Sequence, residues 1–268
     1  MSDGNCKKVT HCIFDMDGLL LDTEILYTKA FSRIIESYGK KYTWEHKAKI
    51  MGFKTSAVAE AIVQMLELPL TPVEFEKKIV ELYIELFPTA NLMPGAEKLL
   101  RHLKKHNIPI ALATSSNKEN FELKTTRWSE LFSLFHHKVL GGSDPEVAHG
   151  KPEPDIFLIA AKRFPDNPDP GMCLVFEDAP NGVKAALNAG MQVVMVPDPM
   201  LPKHYIEKPT LLLNSLDEFK PEMFEIFANS DGIAIERRLV INAKLTTSSS
   251  SDSSESSKPS STMSSVIG

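Results

Sequence analysis

Two carboxylates stand two residues apart in Asp15-Met16-Asp17-Gly18, directly after the apolar run His11-Cys12-Ile13-Phe14. Side chains at i and i+2 of an extended segment point the same way. Gly18 lets the backbone turn beside them. Two acids on one side make a negative corner, which is costly unless a cation fills it or one acid keeps a proton. Magnesium is the natural guest, a hard ion that prefers oxygen ligands. The same residues also make an ordinary Asp-Gly turn at a strand end, so the rest of the chain has to decide. Three further polar groups stand in similar places: Thr114-Ser115-Ser116-Asn117 after one apolar run, Lys151 in Gly-Lys-Pro-Glu-Pro-Asp, and Glu177-Asp178 after another apolar run. Each has a plain reading of its own: a helix cap, an exposed loop lysine and a turn before Pro180.

The elements that must position these groups are legible as alternation. Val9 to Phe14 reads as a buried strand. Asp22 or Thr23 can cap a helix from Ile25 to Tyr38, with Leu26, Ala30, Phe31 and Ile34 on one face and Gly39 at its end. Helical patterns follow over 44–51, 56–66 and 72–87, with no strand signal between Glu24 and Phe87. Pro94-Gly95 reopens an alternating pattern: helix 96–106, strand 108–113, helix 118–127, strand 138–140, helix 156–164, strand 173–176, helix 181–189, strand 192–196 and a weak strand 210–213. This spacing predicts an α/β fold, a doubly wound parallel sheet with helices on both faces. An all-helical insert, 19–87, lies between two core pieces, 1–18 and 88–228. In such sheets the site lies beyond the carboxyl ends of the strands. Asp15, Asp17, Thr114, Glu177 and Asp178 all fall at ends of that kind, and Lys151 sits in a loop on the same edge.

Composition narrows the class. The chain has 268 residues, 43% of them hydrophobic, with 30 basic and 35 acidic residues and a net charge of −5. No basic stripe suggests nucleic acid as a partner. Cys6, Cys12 and Cys173 are far apart and form no CxxC, which points away from a disulfide framework or zinc knuckle and toward a reducing compartment. No apolar run is long enough to span a bilayer, and Met1–Lys8 lacks the apolar stretch of a signal peptide. A cytoplasmic protein with no membrane partner is the expectation. Residues 229–268 form a linker and tail, with twelve serines between Thr246 and Ser265. Such a segment buries too little to order itself. Ile233, Ile235, Leu239, Val240 and Ile241 make either an extra element or a loose linker. The histidine pairs His136-His137 and His102/His106 lack metal-ligand context and read as packing residues, and Met191 and Met195 as core filler.

Taken together, Asp15-Met16-Asp17-Gly18, Thr114, Lys151 and Glu177-Asp178, in this order and at these spacings, resemble the haloacid dehalogenase superfamily. The resemblance is to its phosphatase branch with a helical cap after the first motif, and it covers about Val9 to Phe224. It implies that Asp15 is a nucleophile forming an aspartyl-phosphate. Asp17 would be the acid and base serving the leaving oxygen and then water. Thr114, Ser115, Ser116 and Lys151 would hold the phosphoryl oxygens. Mg2+ would be bound by the carboxylate of Asp15, the main-chain carbonyl of Asp17 and Asp178, with Glu177 as a direct ligand or an orienter of its waters. The implied partner is a small phosphorylated metabolite, with pseudouridine 5′-phosphate the expected one. The helical insert is the expected lid, and its loop Met51-Gly52-Phe53-Lys54-Thr55 the candidate lip, with Phe53 to stack on a base and Lys54 to meet a polar edge.

Three other functions stay open on the sequence: a sugar-phosphate phosphatase, a β-phosphoglucomutase-like mutase, and a scaffold that keeps a vestigial site and works through its serine-rich tail. The intact set of five polar residues speaks against the scaffold.

Overall fold

A computed structural model describes residues 6–50 and 55–226. These belong to one compact unit, Met1–Phe227; the second unit, Ala228–Gly268, lies outside the described residues. The tail, the apolar residues 233–241, and the candidate lip residues Phe53 and Lys54 are therefore also outside them.

Six parallel strands among the described residues form one sheet: β1 His11–Phe14, β2 Ile110–Thr114, β3 His137–Leu140, β4 Cys173–Glu177, β5 Gln192–Met195 and β6 Leu211–Leu212. Their order is β3-β2-β1-β4-β5-β6, so the chain winds outward from β1 in one direction, then crosses back to build the other half. The reversal falls between β1 and β4, which pair in register from His11↔Cys173 to Phe14↔Phe176. A parallel strand needs a crossover of a dozen residues or more, which is why each strand is followed by helical sequence. The period of two along each strand sends alternate side chains to opposite faces. Ile13, Ala111, Val175 and Val193 pack on one side with Ile156, Phe157 and Val183. Cys12, Phe14, Leu112 and Phe176 pack on the other with Leu99, Leu100 and Phe132. Helix α5 Ala96–Lys105 follows the insert, α6 Lys118–Thr125 follows β2, α7 Ser129–Phe132 leads to β3, α8 Asp155–Lys162 precedes β4, and α9 Pro180–Asn188 follows it.

Between β1 and β2 lie four further helices, α1 Glu24–Glu36, α2 Trp44–Ile50, α3 Thr55–Leu66 and α4 Pro72–Leu86. They form because their apolar residues repeat at helical spacing: Leu26, Ala30, Phe31 and Ile34 on α1 are buried, as are Phe75, Ile79 and Tyr83 on α4. Thr71 and Glu74 close a capping box at the start of α4. Phe31 stacks on Phe75, and Tyr27 meets Tyr83 edge-on.

Several sequence expectations shift for local reasons. β1 begins at His11 rather than Val9, because Val9 and Thr10 give their amides to Phe224 and Met172 instead of a neighbouring strand. β2 begins at Ile110, because the Ile108 amide closes the end of α5 on Leu103 and Pro109 has no N–H to give. Thr23 occupies the N-cap position of α1 but makes no side-chain cap bond; its hydroxyl donates to Asp17 instead. The helix expected over 118–127 stops at Thr125, and α7, a single extra turn, lies beyond it. His137 packs edge-on to Phe164 on the outermost strand, and His102 lies against His106 on α5.

Candidate active site

The sheet order places the carboxyl ends of β1, β2 and β4 side by side at the reversal point, where ligands of open α/β sheets bind. Asp15 follows the last residue of β1 and gives its amide to the Phe176 carbonyl at 3.0 Å, so it is fixed by the β1–β4 ladder. Thr114 is the last residue of β2 and Glu177 the last of β4.

Lys151 comes from the loop before α8 and is the hub. Its Nζ donates to Asp15 Oδ1 at 2.6 Å, to Glu177 Oε1 at 2.6 Å and to the Ala113 carbonyl at 3.2 Å. Its side chain is 8% exposed and that of Glu177 1%. Glu177 Oε2 accepts from the backbone amides of Asp178 and Ala179. The Glu177 carboxylate lies directly over Gly182 in the first turn of α9, where a Cβ would collide with it. Gly18 adopts φ +79° and its missing Cβ leaves room for Asp178; any side chain there meets the Asp178 carboxylate.

Asp17 faces a second group of donors. Oδ1 accepts from Thr23 Oγ1 at 2.6 Å and pairs with Lys124 Nζ at 2.6 Å. Oδ2 accepts from Ser116 Oγ at 2.9 Å and from Thr114 Oγ1 at 3.4 Å. The Thr114 hydroxyl in turn accepts the Ser116 amide. Asn117 caps α6 by accepting the Asn120 amide, so the helix-cap reading of this loop is carried by Asn117, while the Thr114 and Ser116 hydroxyls turn to Asp17. Ser115 is exposed at the rim.

The electrostatics follow from burial. Removal from water pushes the Asp15 carboxyl up to about 7, with the Glu177 and Asp17 charges adding to it and Lys151 opposing. Burial likewise drives Asp178 well above the usual carboxylate value, helped by Glu177 and Asp15. Burial also pushes Asp17 up, but the Lys124 ammonium and the hydroxyls of Thr23 and Ser116 outweigh it and hold that carboxyl below its ordinary value. Lys151 stays charged against its own burial because Asp15 and Glu177 raise it.

Carboxylate oxygens of Asp15, Glu177 and Asp178 lie within 4.8 Å of one another. Among the described residues, four acids (Asp15, Asp17, Glu177, Asp178) meet two ammonium groups, Lys124 and Lys151. The excess of two negative charges and the all-oxygen donor set fit a divalent cation. The arrangement can hold such an ion beside a carboxylate and bind an anionic group at the Thr114–Ser116 turn and Lys151.

Asp15, Asp17, Thr114, Ser116, Lys151, Glu177 and Asp178 are thus linked in one pocket. The sequence reading missed Lys124 and Thr23. Lys124 follows Phe121 by three residues and shares its inward face of α6, which is the signal that was there to find.

A parallel sheet of this order, with its acids and lysine at the reversal point, defines a hydrolase of the haloacid dehalogenase type. Residues 9–190 match the family model of haloacid dehalogenase-like hydrolases, and the chain belongs to that family. It is 54% identical over 231 residues, 86% of this chain and 100% of the other, to a Drosophila melanogaster protein described as "Probable pseudouridine-5'-phosphatase". It is 50% identical over 217 residues, 80% of this chain and 90% of the other, to (DL)-glycerol-3-phosphatase 2 of Arabidopsis thaliana. Among solved structures, a family IA variant 3 haloacid dehalogenase hydrolase from Entamoeba histolytica superposes with TM-score 0.66 at 23% identity, covering 81% of this chain and 99% of that one, which shows the shared fold. The chain is a phosphoric monoester hydrolase. Enzymes of this family generally use a divalent metal, and the acidic cluster suits one. No helix among the described residues is long and apolar enough to cross a membrane.

Proposed function

We propose that this chain is a magnesium-dependent phosphomonoesterase that works through an aspartyl-phosphate on Asp15 and releases phosphate from pseudouridine 5′-phosphate. The observation that carries the chemistry is Lys151 bonded at once to Asp15 and Glu177, with Asp178 in the same cluster. The substrate rests on the 54% identity to the Drosophila protein over 86% of this chain.

The carboxylate of Asp15 attacks phosphorus in line, the bond from phosphorus to the ester oxygen breaks, and Asp17, which must first take up a proton against the pull of Lys124, gives it to that oxygen. Water then attacks the acyl phosphate, Asp17 takes a proton from it, and the bond between phosphorus and Asp15 breaks to free phosphate. Thr114, the Ser115–Ser116 turn and Lys151 hold the phosphoryl oxygens throughout. The carboxylates of Asp15 and Asp178 and the main-chain carbonyl of Asp17 would hold magnesium. Glu177, whose oxygens are occupied by Lys151 and two amides, would orient its waters. When bound, the ion offsets the repulsion between an anionic nucleophile and an anionic ester. Residues 19–87 act as the lid over the site, with 1–18 and 88–228 as the core. A cytoplasmic setting agrees with Cys12 and Cys173 as buried free thiols.

Phosphate release from pseudouridine 5′-monophosphate, uridine 5′-monophosphate, glycerol 3-phosphate and hexose phosphates, each with and without magnesium, tests the reading. Preference for the pseudouridine ester supports it; metal-independent release or none sinks it. The 50% identity to a glycerol-3-phosphatase supports a second reading, a small polyol- or sugar-phosphate phosphatase, which the same panel separates.

A further inference from the structure

Lys124 is fully buried, on a helix that supplies none of the four family motifs. Its Nζ pairs with Asp17 Oδ1 at 2.6 Å, donates to Ser116 Oγ at 2.8 Å and donates to the Tyr27 hydroxyl at 2.8 Å. It also lies 4.9 Å from the centre of the Tyr27 ring and 4.8 Å from that of Phe87. Tyr27 belongs to α1 and Phe87 to the turn that leaves α4, so the ammonium sits where both chain passages between the helical insert and the sheet come together.

A buried ion pair is a poor way to stabilise a fold. A well-packed apolar pair of similar volume commonly does as well or better. The Tyr27 and Phe87 rings would pack a methionine as readily as a lysine, so the cation is there for its polar partners. A carboxylate offers about four lone-pair directions. Asp17 has four donors, Thr23 and Lys124 on one oxygen and Ser116 and Thr114 on the other. Three are hydroxyls, which rotate, and two of them, Thr114 and Ser116, also accept from the Ser116 amide and from Lys124; Lys124 is the charged member, and it anchors Ser116 as well. Without it, the Asp17 carboxylate loses the contact that sets its rotamer and the anchor behind a second one.

We propose that Lys124 is a positioning residue that aims Asp17 at the leaving oxygen of the substrate and ties that aim to the insert through Tyr27. The inference rests on the phosphatase reading above. Lys124 touches neither substrate nor phosphorus; it acts through Asp17, directly and by way of the Ser116 hydroxyl that Asp17 also accepts. Its loss therefore matters in proportion to how much the leaving group needs a proton.

The test compares kcat/KM, which covers the steps through phosphoryl transfer to Asp15, for an alkyl phosphate and for p-nitrophenyl phosphate, whose phenolate leaves without a proton. Lys124→Met is expected to lower kcat/KM on the alkyl ester at least about tenfold, part of the 10²–10⁴-fold that a general acid contributes, and on the aryl ester less than about threefold. General damage to the pocket lowers both alike, and equal losses overturn the inference while leaving the phosphatase reading intact. A wild type inert toward both esters overturns the reading and the inference together. If Lys124→Met does not fold, Tyr27→Phe decides the matter by the same ratio. It removes one hydroxyl acceptor and keeps the ring, and it is expected to cost the alkyl ester about two- to fivefold and the aryl ester nothing, whereas an unchanged ratio overturns the inference.

Discussion

Replacing Gly182 by alanine separates what helix propensity says from what the tertiary structure says. Gly182 lies in the first turn of α9, and an alanine in a helix is favoured over glycine by about 1 kcal/mol. Propensity alone therefore expects a more stable protein. The structure reverses the sign, because the new Cβ would collide with the buried carboxylate of Glu177. That carboxylate is held by Lys151 Nζ and by the amides of Asp178 and Ala179. If it is displaced, a buried ion pair opens, at a cost of about 3–5 kcal/mol. Subtracting the helix gain leaves a net loss of about 2–4 kcal/mol, or about 5–15 °C in melting midpoint for a domain of this size. Thermal unfolding in magnesium, followed by circular dichroism, measures it. The Glu177→Ala background supplies the control: with the carboxylate gone, Gly182→Ala is expected to be neutral or stabilising. A single variant that melts at or above wild type, or a loss of equal size in both backgrounds, refutes the reasoning.

Asp15→Asn is expected to abolish phosphate release and acid-precipitable phosphoenzyme while the melting midpoint holds or rises, since the change removes one negative charge from crowded acids and leaves Lys151 paired with Glu177; any retained turnover refutes the nucleophile. Magnesium at about a hundred times its dissociation constant is expected to add about 2.7 kcal/mol, about 5–10 °C in midpoint, and Asp178→Asn to remove most of that gain; differential scanning calorimetry decides. Stability is expected to fall as pH drops below about 6.5. Burial lowers the folded-state values of His11, His102 and His137, so over that window these three side chains hold more protons unfolded than folded; the raised carboxylates of Asp15 and Asp178 act in the opposite sense, which saturating magnesium suppresses by keeping them ionised. Midpoints measured in saturating magnesium from pH 7.5 to 5.5 check the sign, and His11→Gln is expected to flatten the slope.

The fold was legible because its signals are local. Alternating strands and helices read correctly from 96 onward, as did the helical run between Glu24 and Phe87, since periods of two and 3.6 are properties of a window of residues. Element ends read less well where a distant partner decides them: Val9 and Thr10 leave the sheet for the carbonyls of Phe224 and Met172. Within the site, Asp15, Thr114 and Asp178 were legible because strand ends in a parallel sheet share one edge, and Lys151 because its loop was expected on that edge. Thr23 was not, because a threonine before a helix reads as a cap, and only the fold brings Asp17 within 2.6 Å of its hydroxyl.

The sequence by itself determined the class of sheet, the edge on which chemistry occurs and the acids that crowd there, because each follows from spacing along the chain. Only the tertiary structure decided how those charges are shared. It gave Lys151 to Asp15 and Glu177, and it buried Lys124 against Asp17 from a helix more than a hundred residues further along the chain. The strength of a charge–charge contact depends on distance and on exclusion of water. Neither quantity is written in the order of residues; both appear only once the strands have packed.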